Sequence, residues 1–346
     1  MSFPGLLLVL VATAAESPPG STLGSPALTR GDRIPFAGEV ADDVDNAGRV
    51  SKRAFTLDAT LFVLDTHEWG ADCALFTRLT PKTDPGVVAA AANVMGTSAD
   101  GRQSPPITRL ERIRIDRRGR VSRLVTPDRP PPLPLGLLAK TAPLPPLSLE
   151  EPPQVEVGMF VPLPETPPAV GAQWTVADGV RPSRTWAIKR SELRNGGVCF
   201  LVEAVQQSAG WADLAKVAAG WQRFDRLVVS PTDGLARSVV RQVVHREGNA
   251  AVRTMTVRYE IQPTVPHKGK SYRDVCTEID TATWLGGKLD GILAAGGKPD
   301  AAAIERVRSE AKRHIEDRPA TAFRPAVEAV LLRAEAALGG RALGGR

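Results

Sequence analysis

The sequence predicts an α+β protein in which two related antiparallel β-sheet units precede a C-terminal α-helical hairpin. Three observations lead to this fold class. Apolar residues alternate at period two through much of residues 31–126 and 154–263, which is the pattern of half-buried strands. The apolar period becomes helical after Ser271. Short motifs also recur in the same order in both β-rich segments, which indicates an internal duplication.

Residues 1–15 resemble a secretory signal peptide. The apolar run Leu6–Val11 is followed by small residues up to Ala15, which supply an A-x-A-like cleavage site. The run is too short to cross a bilayer, since a spanning helix takes about 20 apolar residues. We therefore expect an extracytoplasmic protein, periplasmic or secreted. Its mature chain should have an unstructured lead-in at 16–30 and no transmembrane segment.

The first β-unit is predicted at 31–126. Apolar residues from Phe55 to Val63 share one face of a strand, and Ile113 and Ile115 alternate with arginines that point to solvent. An alanine run at 89–92 indicates a short helix or a loop. A linker follows at 127–153, where ten of 27 residues are proline, which excludes a central strand or a helix interior.

The second β-unit is predicted at 154–263. Its clearest element is a hairpin formed by "SVVRQVVHR" and "VRTMTVRYEI", with a turn at Glu247–Asn249. Three motifs of the first unit recur here in order: "GDRI" as "GAQW", "GADCAL" as "GGVCFL", and "RLERI" as "RFDRL". This alignment makes Cys73 equivalent to Cys199. The second copy of the basic stretch loses most of its charge, so the fold position does not require that charge.

The tail, 264–346, is predicted to be helical. A first helix over Tyr272–Ala295 should be interrupted at the glycine pair 286–287. Asp300 is suited to cap a second helix, and a third is closed by the glycine pair 339–340. The last two helices are amphipathic and form the predicted hairpin, with their apolar stripes covering each other and a sheet face.

The composition and motifs favour a protein without a catalytic, cofactor or metal site. Basic and acidic residues are well mixed despite a net charge of +6, which favours a solvated surface over nucleic-acid binding. The four histidines lack metal-ligand spacing; Ala71 stands where H-E-x-x-H needs its second histidine. No nucleophile-elbow or phosphate-loop motif occurs.

Two sets of side chains remain as site candidates. Cys73 and Cys199 are either buried small hydrophobes or a disulfide joining the two units. A catalytic thiolate is the third alternative, although nothing local supplies the electropositive niche that it needs. Four tryptophans concentrate in the second unit and either line a ligand groove or pack in the core: Trp174, Trp186, Trp211 and Trp221.

The second half resembles a module of exported bacterial proteins that in some members precedes a thioredoxin-like domain. The resemblance is carried by the run Trp221–Asp225, by "VVSPTDGLARSVVR" and "VRYEI", and by "TAFRPAVEAV" at Thr321–Val330. It covers roughly residues 170 to 338. The thioredoxin-like domain and its C-x-x-C are absent here, so the resemblance implies an exported module and no redox role.

We therefore expect an exported, non-catalytic β-rich protein that acts as a binding or scaffold module of the cell envelope. Its partner would be an envelope protein or an apolar ligand. The first alternative is a carrier that holds an apolar ligand in a curved β-sheet. The second alternative is an enzyme without a recognisable motif.

Overall fold

The computed structural model describes residues 22–339, with gaps at 47–48, 83–105, 125–158, 179–180, 195–196, 210, 212–218, 248–250, 296–299 and 319. The predicted signal peptide, the linker 127–153 and the alanine run 89–92 lie outside the described residues. The described strands are β1 Asp32–Asn46, β2 Arg49–His67, β3 Gly70–Pro81, β4 Ile107–Asp116, β5 Val121–Arg123, β6 Gln173–Asp178, β7 Arg181–Arg194, β8 Gly197–Gln207, β9 Ala219–Val229, β10 Ala236–Glu247, β11 Ala251–Ile261 and β12 Val265–Pro266. The helices are α1 Gly269–Ala294, α2 Ala301–Asp317 and α3 Arg324–Gly339. The predicted α+β class, a β-rich antiparallel sheet with C-terminal helices, is confirmed.

The strands of both predicted units belong to one antiparallel sheet. Its order is β5-β4-β3-β2-β1-β11-β10-β9-β8-β7-β6, and β12 pairs with the start of β1. The two segments meet where β1 pairs with β11, with Val40 opposite Val257. The predicted hairpin is present as β10 and β11, with Val243 opposite Met255. Each segment is thus a meander, and one ladder joins the two.

The sheet is rolled, because a short segment contacts both of its edges. We call residues Met159–Leu163 the plug segment. Leu163 donates its backbone N–H to the carbonyl of Arg118, beside the β4–β5 turn, at 2.7 Å. At the other edge, Trp174 of β6 donates its indole N–H to the carbonyl of Pro162 at 2.8 Å. A flat sheet of eleven strands would separate these edges by about 48 Å, so neighbouring residues could not reach both.

The inner face of the rolled sheet carries the main hydrophobic core. Since successive side chains of a strand point to opposite faces, residues such as Leu61 and Val63 point inward while Phe62 points outward. The inner cluster draws buried residues from β1–β4 and β7–β11 and includes the plug segment. On the outer face, Phe62, Ala74 and Phe76 pack against the three helices. The core is therefore two-layered, with side chains and plug inside and helices outside.

One end of the roll is closed by close backbone contacts. Gly119 and Gly234 both have a left-handed φ, 70° and 65°. A Cβ on Gly119 would lie 2.6 Å from the carbonyl oxygen of Val161, and one on Gly234 would lie 2.7 Å from that of Gly24. Leu23, within the lead-in predicted to be unstructured, is irregular in backbone but buried against the same end. We call this the plugged end, and the opposite end the far end.

The helices follow the sequence pattern with one difference. Asp300 caps α2 as predicted, accepting the N–H of Ala302 at 2.9 Å, and α2 packs against α3. The interruption predicted at residues 286–287 is wrong, since α1 continues through both glycines. Leu285 and Leu289 on either side are buried in the helix–sheet layer, and this burial outweighs the low helix propensity of glycine. No helix in the described part of the chain is long and apolar enough to cross a membrane.

Candidate functional site

A cluster of arginines lies on the inner face of the rolled sheet, in the half toward the far end. Strand β9 places Arg223 and Asp225 in phase with Leu227 and Val229, which are buried in the inner core. Strand β10 places Arg241 directly opposite Asp225. Strand β7 contributes Arg184, which is in phase with Trp186 and Ile188 of the same core. Three strands therefore converge on one carboxylate.

Asp225 is shared by three guanidinium groups. Its Oδ1 accepts from Nε of Arg241 at 2.7 Å, and its Oδ2 accepts from Nε of Arg223 at 2.9 Å. Nη1 of Arg184 lies 3.6 Å from Oδ2. The Asp225 side chain is 0% exposed and the three arginine side chains are at most 6% exposed. These charges are removed from water, so solvent neither solvates nor screens them.

The pKa shifts follow from this burial and from the neighbouring charges. Burial by itself raises the pKa of Asp225, but the guanidinium groups of Arg223, Arg241 and Arg184 outweigh it and hold the pKa at about 2. For Arg223, burial and the positive charges of Arg184 and Arg241 push the pKa well below its ordinary value. Asp225 stays ionised, and Arg223 is held in a position that disfavours its charge.

Several buried donors around Asp225 have no acceptor. Nη2 of Arg223 and the indole N–H groups of Trp186 and Trp221 have no hydrogen-bond partner among the described residues. Arg223 is 2% exposed, and the two tryptophans are 0% exposed. Buried polar atoms are hydrogen-bonded in most proteins. Three orphaned N–H donors on the same inner face, two on β9 and one on β7, are therefore the strongest local signal in this structure.

The four predicted tryptophans fall into different environments. Trp174 stacks on Trp186 at a centroid distance of 6.5 Å and an interplanar angle of 13°. The guanidinium of Arg184 lies 5.6 Å from the Trp186 ring. Trp221 lies on the same face of β9 as Arg223 and faces His245 across the ladder. Trp211, which is half-buried, lies near Arg246. Three of the four thus lie at or beside the arginine cluster.

The two predicted cysteines lie on opposite faces of the sheet. Cys73 pairs with Ile113 and belongs to the inner core. In the second segment Leu227, the residue aligned with Ile113, pairs with Val202 and not with Cys199. This offset of three positions turns Cys199 outward, into a small cluster with Leu201 and Val228. Both thiols are free, and burial raises the pKa of each.

A second carboxylate lies further along the same inner face. Asp42 of β1 is 0% exposed and accepts from Nη2 of Arg53 at 2.5 Å and from Nε of Arg253 at 2.7 Å. The two arginines are 54% and 25% exposed, so water solvates their charges. This group therefore marks the wetter rim of the far end. The described residues contain no group of three or more histidine, cysteine or acidic side chains placed to bind a metal.

The arginine cluster was missed by sequence reasoning, although a signal was present. In "WQRFDRLVV" the residues Trp221, Arg223 and Asp225 fall in phase with Leu227 and Val229, not with the solvent-facing Gln222 and Arg226. Charged residues in phase with a strand's apolar residues are expected on its buried face. In the basic first copy the alternation was predicted correctly: Ile113 and Ile115 are buried, and Arg112 and Arg114 lie on the opposite face. The predicted solvent exposure is wrong for Arg112, which pairs with Asp280 of α1.

Comparison with known proteins yields distant similarities only. No protein-family model matches the chain, and no curated protein matches it. A DUF1329 family protein from Desulfovibrio piger is 8% identical over 70% of this chain and 88% of its own, with a TM-score of 0.17. A putative outer membrane lipoprotein-sorting protein domain from Vibrio parahaemolyticus is 9% identical over 73% and 92%, with a TM-score of 0.18. Ail, the attachment invasion locus protein of Yersinia pestis, is 4% identical over 68% and 100%, with a TM-score of 0.19. Similarities at this level establish neither family membership nor function.

Proposed function

We propose that this chain is a non-catalytic binding protein that holds a small ligand at the inner face of its rolled sheet. One observation carries the proposal: three fully buried N–H donors, on Arg223, Trp186 and Trp221, have no acceptor among the described residues. A buried donor without an acceptor costs about 1–3 kcal/mol. A ligand that supplies the acceptors would recover this free energy on binding.

The residues at the cluster supply binding groups but no catalytic pair. Guanidinium and indole groups donate hydrogen bonds and do not accept them. Asp225, with a pKa of about 2, is held by three arginines and is a poor general base. Binding is therefore the chemistry that these side chains support best.

The proposal modifies the two alternatives that the sequence raises. A carrier also fits, provided that its ligand has a polar group for the cluster, because the inner face toward the plugged end is packed with the protein's own side chains. The scaffold alternative needs no ligand. We place the activity outside the cytoplasm, on the evidence of the apolar run and cleavage-site pattern in residues 1–15.

Mass spectrometry of the chain purified from its own cells tests the proposal. Under native conditions we expect a mass excess over the bare chain, lost on denaturation. The variant Arg223→Met should lack this excess, and Arg226→Met should keep it, because Arg226 lies on the outer face of the same strand and pairs with Glu203. A bare wild-type chain under native conditions would overturn the proposal and leave the scaffold alternative.

A further inference from the structure

We infer that the ligand group held at the cluster is an oxyanion, such as a carboxylate, whose oxygens accept from Arg223 Nη2 and from the buried indoles. The inference rests on the proposed function and specifies its ligand chemistry. It follows from the kind of groups that line the site, their burial and their neighbours.

The orphaned groups are donors only. Guanidinium and indole nitrogens cannot accept a hydrogen bond. A ligand alcohol or amide would satisfy one donor but bring N–H or O–H groups of its own. An oxyanion brings several acceptor oxygens and no donor. Its oxygens therefore complement the three donors of the protein, which are Nη2 of Arg223 and the two indole N–H groups.

The protein's own carboxylate at the site is already engaged. Both oxygens of Asp225 accept from Arg223, and Oδ1 also accepts from Arg241. The hydrogen bonds that the Arg223 side chain makes to described residues both go to this carboxylate. Because Asp225 is shared with Arg241, it does not satisfy Nη2 of Arg223, and we infer that a bound ligand supplies the acceptor for this nitrogen.

The two indole donors lie around the Arg223–Asp225 pair on the same face of the sheet. Trp221 precedes Arg223 by two residues on the same face of β9. Trp186 lies opposite Ala204, which lies opposite Asp225, so it is two strands away, about 10 Å between backbones. Arg184 bridges that gap, since it contacts both the Trp186 ring and Asp225. An anion there would also favour the charged form of Arg223, which its surroundings disfavour.

The other charged and titratable groups on this face, from every neighbouring strand, do not reverse the expectation. They are Arg184 of β7, Arg241 and His245 of β10, Arg253 of β11, Asp42 of β1, Arg53 of β2, and Arg109 and Glu111 of β4. Glu111 accepts a hydrogen bond from Arg109 at 2.7 Å. Asp42 is engaged by two arginines of its own.

A matched pair of ligands tests the inference on the purified mature chain. Benzoate and benzamide have nearly the same shape, but only benzoate is an oxyanion without donors. By isothermal titration at pH 7.5 in chloride buffer we expect benzoate to bind roughly 10- to 100-fold more tightly, because a hydrogen bond to a charged group contributes about 1.5–3 kcal/mol. Inorganic phosphate serves as a third probe.

The variants and probes separate the possible outcomes. Arg223→Met should abolish the preference for benzoate, and Arg226→Met should retain it. Binding of phosphate as tight as that of benzoate would identify a free inorganic ion as the ligand class; benzoate alone would identify an organic acid; both support an oxyanion site. Equal binding of benzoate and benzamide would overturn the inference and leave the proposed function standing. Binding of none of the three would also overturn the inference, and the native mass measurement on wild-type protein then decides the proposed function separately, even if a variant fails to fold.

Discussion

Replacing Asp225 with asparagine removes the one negative charge that three buried arginines share, with almost no change in shape. The pKa of Asp225 is about 2 in the folded protein, against an ordinary value of 3.8. Each pKa unit corresponds to about 1.36 kcal/mol, so the charged carboxylate contributes on the order of 2 kcal/mol to the free energy of unfolding at neutral pH. Breaking a buried ion pair by removing one partner costs about 3–5 kcal/mol. We therefore expect Asp225→Asn to lose between roughly 2 and 5 kcal/mol.

The sign of the pH dependence follows from the lowered pKa. The stabilisation is fully present above pH 3.8 and is lost as the pH falls from there toward 2, where the folded-state carboxylate takes up its proton. The wild-type protein should lose stability across this window. Asp225→Asn has no group to titrate there, so the difference between the two proteins should shrink as the pH falls.

Urea unfolding at pH 7 and at steps down to pH 2.5 measures both effects. Glu203→Gln is the matched control: Glu203 lies on the neighbouring strand β8, accepts from Arg226 at 3.0 Å, and is 18% exposed. Surface ion pairs contribute about 0–1 kcal/mol, so this variant should stay close to wild type. A loss of stability in Asp225→Asn no larger than that in Glu203→Gln, or a difference from wild type that is the same at every pH, would contradict a buried, charge-stabilised Asp225.

Three further predictions concern the plugged end, the helix layer and the thiols. Gly119→Ala should lower the urea midpoint by more than Gly197→Ala, because the new Cβ meets the carbonyl of Val161 at a left-handed φ whereas at Gly197 the nearest atom is 3.9 Å away; equal midpoints would contradict the packing described. Burial raises the pKa of Glu278, so the contribution of this group to stability is present below pH 4.5 and is lost as the pH rises through the folded-state pKa. The stability of Glu278→Gln relative to wild type should therefore be higher at pH 8 than at pH 4. A higher relative stability at pH 4 would contradict this prediction. Finally, the mass of the denatured mature chain should not change on reduction, and all three cysteines should react with a thiol reagent in urea; a mass gain on reduction would reveal a disulfide.

The sequence predicted the strands and helices well because their signals are local. Alternation at period two located β2, β4 and the β10–β11 hairpin, and Asp300 marked the start of α2. These patterns depend on neighbours in the chain, which a single sequence displays. The continuity of α1 through its glycine pair was missed, because the burial of Leu285 and Leu289 against the sheet is a tertiary effect.

The register of the second segment could not be predicted in the same way. The motif alignment sets Cys199 against Cys73, yet Leu227 lies opposite Val202, three residues further on. A shift by an odd number exchanges the two faces of a strand. Register depends on the partner strand, on bulges such as that between Ile188 and Arg190, and on the turns between them. A motif match contains no information about the partner strand, the bulges or the turns.

The arginine cluster depends on a still longer-range feature, the rolling of the sheet. Had the sheet been flat, the inner face of β7–β10 would be an ordinary surface on which arginines meet water. Contact of the plug segment with both edges encloses that face. The same side chains then become buried charges, and their hydrogen-bonding needs must be met inside the protein.

The two halves of the inner face are stabilised by different chemistry. Toward the plugged end, apolar side chains and the plug segment exclude water. Toward the far end, Asp42 joins β1, β2 and β11 at the junction of the two segments, and Asp225 joins β7, β9 and β10. Each carboxylate offers two oxygens to more than one guanidinium, so N–H donors outnumber acceptor oxygens at both clusters. At Asp42 water can make up the difference, because Arg53 is 54% exposed. At Asp225 the side chains of all three arginines are at most 6% exposed, so a bound group is the acceptor that we propose for the orphaned donors. This contrast between the two carboxylates is why the binding site is assigned to Asp225.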